Sequence, residues 1–432
     1  MKNITDFIKS CTDCWHTAQE VCKTLDSIGF VRLDEGADWK LKNGGRYYVT
    51  RNMSSVTAFK IPKSLPEGYM IAAAHGESPS FKIKAVPELT DKNYVRLNVE
   101  AYGGMILSSW LDRPLSVSGR IVADIGGELS FRLVNIDRDS LIIPSLAPHL
   151  SRGAEGSNSL NIRRDMPPMY ALSNGYKGIL KEAADTLGIP KESITGCDLM
   201  LYNREPARIW GQNGEFISAP RLDDLQCVYA LLKGFAECGD SADTVQTLCV
   251  FDNEEVGSGT KQGAKSDFLS SVLLRISMCL GLSYGKHMQC LNSSFLVSAD
   301  NAHAIHPNRP DAYDASNYPV INGGIVIKYN AAQRYTTDAV SEAVFKRICK
   351  NADTPYQVYA NKSDIAGGST LGNIAAEKTC VNSVDIGLAQ LAMHSAYETA
   401  GTADTSHMVK AVTEFYNTRL MSYDGGIKIC KA

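Results

Sequence analysis

The sequence predicts an α/β protein whose main domain is interrupted by a β-rich insertion. Two features carry this reading. Nearly continuous apolar runs, Tyr69-Met-Ile-Ala-Ala-Ala74 and Thr247-Leu-Cys-Val-Phe251, have the composition of strands covered on both faces by other layers. From about residue 95 to residue 213 the texture changes to short β-rich segments punctuated by Gly and Pro, the pattern of an antiparallel domain. The limits that follow are 1–94 for the first part of the α/β domain, 95–213 for the insertion and 214–432 for the second part. With 432 residues, 44% of them hydrophobic, the chain has material for more than one core.

Taken in order, residues 6–29 read as a pair of amphipathic helices carrying Cys11, Cys14, His16 and Cys22. Cys11 and Cys14 are one helical turn apart and no second pair follows at zinc-finger spacing, so packing is the simpler account. Strand signals follow at Tyr47-Tyr48-Val49-Thr50 and 55–59, with Gly44-Gly45 as a turn. The run 69–74 ends in His75-Gly76-Glu77-Ser78-Pro79. Inside the insertion, 95–101, 106–111, 115–122 and 129–133 read as strands. His149 precedes a Gly/Ser/Asn-rich loop, 151–161, expected to be mobile. Arg221-Leu222-Asp223-Asp224-Leu225 then opens a helix whose apolar face uses Leu225, Val228, Leu232 and Phe235. Later elements are a helix over 268–280, a strand over 294–299 leading into Asp300, and a strand over 323–328 ending in Lys328. Residues 381–386 form the last clear strand. His394 and an amphipathic C-terminal helix come after it.

Charge and composition exclude several classes. The net charge is -3 and the isoelectric point about 6.3, which argues against nucleic acid or an anionic membrane as the main partner. No apolar run approaches the ~20 residues of a membrane span, and the N-terminal residues lack a signal-peptide core. Twelve cysteines without a disulfide-like frame point to a reducing cytoplasm.

The chemistry gathers at strand ends. His75, Glu255 and Asp300 follow apolar strands, Asp223 starts a helix and His394 lies just after a strand. Each has an ordinary reading by itself: a loop histidine, a solvated acidic turn, a helix cap. In open α/β sheets, however, sites form beyond the carboxyl ends of strands. Two histidines and three carboxylates make a natural ligand set for two zinc-like ions if one carboxylate is shared. Glu254 points away from its neighbour Glu255 on an extended chain and remains as a general base. Glu77, two residues beyond His75, fits an acid that orients the histidine.

Several motifs then carry a resemblance. They are Ala74-His75-x-x-Ser78-Pro79, Arg221-Leu222-Asp223, Asp252-Asn253-Glu254-Glu255-Val256-Gly257-Ser258 and Ser298-Ala299-Asp300-x-Ala302-His303-x-x-His306-Pro307-Asn308. Ile327-Lys328-x-Asn330, Gly367-Gly368-Ser369-Thr370-Leu371-Gly372 and Gln390-Leu391-Ala392-Met393-His394-Ser395 complete them. Over essentially the whole chain, in order, they resemble the aspartyl aminopeptidase family of dinuclear zinc exopeptidases. The resemblance implies a mixed-sheet zinc-exopeptidase catalytic domain interrupted by a β-rich dimerisation domain. It implies two divalent ions, Zn2+ foremost with Co2+ or Mn2+ as alternatives. His75 and Asp300 would hold one ion, Glu255 and His394 the other, with Asp223 bridging and Glu254 as general base.

The same resemblance places Lys328 in the substrate pocket and sends His149 into a neighbouring subunit's site. His303 and His306 would touch substrate or pack under a loop, and the turn at Gly368 and Ser369 would line the pocket. The partners implied are peptides with a free N-terminus and further copies of the chain, as dimers assembled into a tetrahedral dodecamer. The expected reaction is hydrolysis of the N-terminal peptide bond, and Lys328 points to an acidic first residue. A dinuclear deacylase of N-acyl amino acids and a catalytically weak assembly protein on the same fold are the alternatives. Two positions depart from the family pattern: Glu77 stands where Asp is usual, and Asp224 stands where Asn is usual.

Overall fold

The protein, as a computed structural model, is described over residues 1–151 and 160–432. The loop expected to be mobile, 151–161, falls mostly outside the described residues. The frame is a nine-stranded mixed sheet. Its central strand, Gly68–His75, lies between the parallel strands Thr244–Phe251 and Phe295–Ala299, and Asn382–Gly387 runs parallel beside the latter. These four strands end together: His75 is paired with Phe251 and Ala299 with Ile386. Antiparallel neighbours, Ser55–Lys60 on one side and Ile325–Tyr329 on the other, make the sheet mixed.

Every residue of Gly68–His75 is buried, which is why the run carries no polar alternation. Met70, Ala72 and Ala74 face the layer of helices Leu222–Glu237 and Asp404–Tyr416. Tyr69, Ile71 and Ala73 face the opposite layer with helix Phe268–Cys279, as the two-residue period of a strand requires. The helix pair near the N-terminus is present as Ile4–Ser10 and Cys14–Ser27. Cys11 and Cys14 are buried free thiols there, and His16 is paired with Asp13 at 2.7 Å, as packing rather than metal binding requires.

The β-rich part is a six-stranded antiparallel sheet with strands from Ser80 to Asn203. It has its own core around Phe81, Leu97, Val117, Leu199 and Trp110. Hydrogen bonding in this sheet starts at Ser80, whose strand Ser80–Asp91 pairs with Tyr94–Tyr102, whereas the change of texture in the sequence begins near 95. Residues 106–111, expected as a strand, instead form a single 3-10 turn, Leu107–Trp110. The N–H of Ile106 is given to the carbonyl of His394 at 3.0 Å, and Trp110 packs edge-on against Phe81. The segment thus closes the β-rich part onto the main domain and joins no ladder.

A five-stranded sheet completes the frame, in the order Arg208–Trp210, Phe216–Ala219, Glu398–Gly401, Ala389–Leu391 and Ala302–His303. Two of these strands, Ala389–Leu391 and Glu398–Gly401, follow the one expected to be the last clear strand. At two to four residues each, the strands of this sheet are too short for a periodic signal. A final hairpin, Thr418–Tyr423 with Gly426–Lys431, follows the C-terminal helix. No helix among the described residues is long and apolar enough to cross a membrane.

Candidate active site

Three parallel strands ending at one edge of the large sheet deliver four of the site residues. His75 is the last residue of its strand. Glu254 and Glu255 lie in a 3-10 turn three residues beyond Phe251, and Asp300 follows Ala299 directly. Asp223 opens helix Leu222–Glu237, but it and Asp224 have non-helical backbone angles, so its carboxylate is not spent on capping. His394 sits in the connection between strands Ala389–Leu391 and Glu398–Gly401.

The six residues converge. Nε2 of His75 is 3.6 Å from Asp223 Oδ1 and 3.9 Å from Asp300 Oδ1. Nε2 of His394 is 3.5 Å from Asp223 Oδ2 and 3.3 Å from Glu255 Oε1. Asp223 therefore faces one histidine with each oxygen. The donor atoms of His75, Asp223 and Asp300 lie within 4.8 Å of one another, as do those of Asp223, Glu255 and His394 and those of His75, Glu254 and Glu255.

Buried carboxylates fix the backbone beneath. Glu398 accepts the N–H of His394 at 2.8 Å and of Asp223 at 3.0 Å. Asp224 accepts the N–H of His75 at 3.3 Å. Glu77 accepts the N–H of Glu255 at 3.1 Å, while Nδ1 of His75 lies 3.1 Å from the Glu77 carbonyl and 3.5 Å from its carboxylate. Glu398 escapes the sequence reading. Its one signal is its place four residues after His394, an acid next to a candidate ligand.

The protein groups shift one another strongly. Burial alone would lower the His75 pKa, yet Glu77, Asp223 and Asp300 hold it well above its ordinary value. The same contest, against Glu255 and Asp223, leaves His394 at about 9. Burial pushes Glu254 well up; His75 opposes this, and Asp300, Glu255 and Glu77 add to it. Burial raises Glu255 against the pull of His394, and raises Asp224 and Glu398 as well. Asp300 goes the other way: burial would raise it, but Lys328 and His75 hold it well below the carboxylate range.

Residues 7–416 match the family described as Aminopeptidase I zinc metalloprotease (M18). The chain belongs to the M18 family. It is 40% identical over 427 residues to the probable M18 family aminopeptidase 2 of Clostridium acetobutylicum, covering 96% of this chain and 98% of that protein. A chain in the cryo-EM structure of the Ape4 and Nbr1 complex superposes with a TM-score of 0.92 at 34% identity, over 96% of this chain and 84% of that one. The S. cerevisiae mApe1 dodecamer gives a TM-score of 0.84 at 27% identity, over 96% of this chain and 95% of that one. The family, the α/β fold and the reaction class read from the motifs hold: the chain is a metal-dependent aminopeptidase of a zinc family.

For an M18 protein the donor set fits zinc. Two imidazoles and three carboxylates supply borderline N and O ligands, and Asp223 Oδ1 is buried without a hydrogen-bond partner in the described protein, as an atom reserved for a cation would be. The nearby ammonium of Lys328 is buried, 3.4 Å from Asp300 Oδ2, and donates to the Asn301 carbonyl at 2.9 Å.

The remaining expected residues surround the cluster without joining it. His303, in strand Ala302–His303, is exposed and stands edge-on to Tyr359. His306 is half-buried, its Nδ1 accepting the N–H of Asn308. Gly368 and Ser369 lie exposed before helix Leu371–Thr379. His149 is exposed on the short helix Pro148–Ser151 of the β-rich part and has no ion pair with the cluster. A cavity of about 180 Å³ reaches Glu77 and Glu398 but not His394, Asp300 or Lys328, so it is not the face on which substrate would meet the metal-type residues.

Proposed function

We propose that this M18 chain is a two-ion aminopeptidase that removes N-terminal residues, preferring acidic ones, from peptides with a free amine. The observation that carries the reading is the sharing of Asp223 between two donor groups, one with His75 and Asp300, the other with Glu255 and His394. Asp223 would bridge two ions, the first held also by His75 and Asp300, the second by Glu255 and His394. Divalent zinc, when bound, polarises the scissile carbonyl and makes water a nucleophile at neutral pH.

Glu254 is left as the proton carrier. Its carboxylate lies beside the donor atoms of His75 and Glu255, a place from which it would take a proton from the attacking water and return it to the leaving amine. Lys328 would present positive charge toward an acidic first side chain while steadying Asp300. His303, Gly368 and Ser369, all solvent-facing, and the half-buried His306 would border the substrate. His149, exposed on the β-rich part, would complete a neighbour's site, with residues 95–213 as a dimerisation domain and dimers assembled into a dodecamer. A cytoplasmic setting agrees with twelve free cysteines.

The test is hydrolysis of Asp-, Glu- and Leu-linked amides, free and N-acetylated, by metal-stripped protein before and after zinc. Zinc-restored turnover of free-amine Asp and Glu substrates is the expected result. Faster turnover of the acetylated substrates would overturn the aminopeptidase assignment of the site. Preference for Leu would overturn the acidic pocket. Light scattering tests the assembly, where a 47.0 kDa particle would overturn both the dodecamer and the role of His149.

A further inference from the structure

We infer that Glu398 is a positioning residue for the second ion's ligands, holding the main chains of Asp223 and His394 in one carboxylate. This rests on the two-ion reading. Glu398 is 2% exposed and opens strand Glu398–Gly401, where it is paired with Ala219 at the end of the neighbouring strand. Its carboxylate is thus anchored between the two chain segments that carry the ligands. Oε1 takes the N–H of His394 and Oε2 that of Asp223.

Both N–H groups need this acceptor. His394 has φ of 66°, a left-handed conformation that a residue with a side chain holds only when its surroundings fix it. Its carbonyl is taken by the N–H of Ile106 and its N–H by Glu398, so both sides of the residue are tied. Asp223 stands at the start of its helix with non-helical backbone angles, where the first N–H groups have no acceptor within the helix. A glutamate suits the place because it offers two acceptors and no donor. Glutamine would offer one acceptor and set an NH2 against the other N–H.

The consequence is asymmetric. Of the three groups around the second ion, Asp223 and His394 depend on Glu398. Around the first ion only Asp223 does. The N–H of Glu255 is held separately by Glu77.

Zinc titration of metal-stripped full-length protein by calorimetry tests this, with Glu398→Gln as the variant. One of two binding events is expected to weaken about 10–100-fold, the other less. The weakened event should be the one that His394→Ala abolishes and Asp300→Ala spares. At zinc high enough to refill the site, kcat should return toward wild type with KM unchanged, a rescue that a general folding defect would not give. If the Gln variant fails to fold, Glu398→Asp, which keeps charge and both acceptors one methylene shorter, should show the same uneven loss. Unchanged affinities, or equal weakening of both events, overturn the inference. A wild-type protein that takes up fewer than two zinc ions overturns the two-ion reading and the inference together, whereas two ions in wild type with no loss in the variant overturns the inference alone.

Discussion

Oε1 of Glu77 accepts the main-chain N–H of Glu255 at 3.1 Å. A single side chain therefore ties the turn carrying one cluster to the strand end carrying the other, since its Oε2 stands 3.5 Å from Nδ1 of His75. The histidine's Nδ1 is also within reach of the Glu77 carbonyl, so the ring does not depend on the carboxylate alone. An aspartate there would be one methylene shorter. We expect Glu77→Ala to weaken zinc binding about 10–100-fold, with Glu77→Asp between it and wild type; chelator competition measures both.

Glu254→Gln should separate chemistry from metal binding. Loss of the proton carrier is expected to lower kcat by about 10²–10⁴, while elemental analysis still finds wild-type metal content. Loss of metal in this variant would mean that Glu254, which also groups with His75 and Glu255, is a ligand.

The site should make metal-stripped protein less stable as pH rises. The pKa of His394 goes from 6.5 to about 9 on folding. A group raised in this way stabilises the fold fully below 6.5, and the contribution is lost as pH climbs through about 9. The raised carboxyls of Glu254 and Glu255 act in the same direction, because keeping them protonated also favours the fold at lower pH. Thermal melts of the stripped protein should therefore show Tm falling between pH 6.5 and 9. Zinc should offset the fall, since ligands must shed protons to bind it.

Lys328→Met should act on both stability and selectivity. Lys328 and Asp300 form a buried pair, and removing one partner of such a pair costs about 3–5 kcal/mol, read as a lower denaturation midpoint of the stripped protein. Under the acidic-pocket reading, kcat/KM for Asp- and Glu-linked amides should fall by at least ~10-fold relative to the Leu amide, the equivalent of ~1.4 kcal/mol.

Gly387→Ala tests how tightly the strand ends are packed. A Cβ there would lie 2.0 Å from the carbonyl oxygen of Asp300, so the two strand ends must part. Overpacking of this kind costs about 1–3 kcal/mol. Asp300 would move with its backbone, and we expect reduced zinc affinity alongside the lower Tm.

The sequence by itself determined the large sheet and the residue types at its edge. Buried strands such as Gly68–His75 must be apolar throughout, so a histidine or acid that ends the run stands out, as His75, Glu255 and Asp300 do. The helix opened at Leu222 was equally legible, from its 3.6-residue period. What the tertiary structure decided was connection: the exchange between Asp223 and both histidines, the grip of Glu398 on a backbone N–H 175 residues away, and the turn at Ile106 that holds His394. The short strands that carry these contacts are two to four residues long, below the length at which periodicity speaks. Hydrogen bonds from side chain to distant backbone leave no periodic mark, because they depend on where packed layers bring two segments and not on local preference.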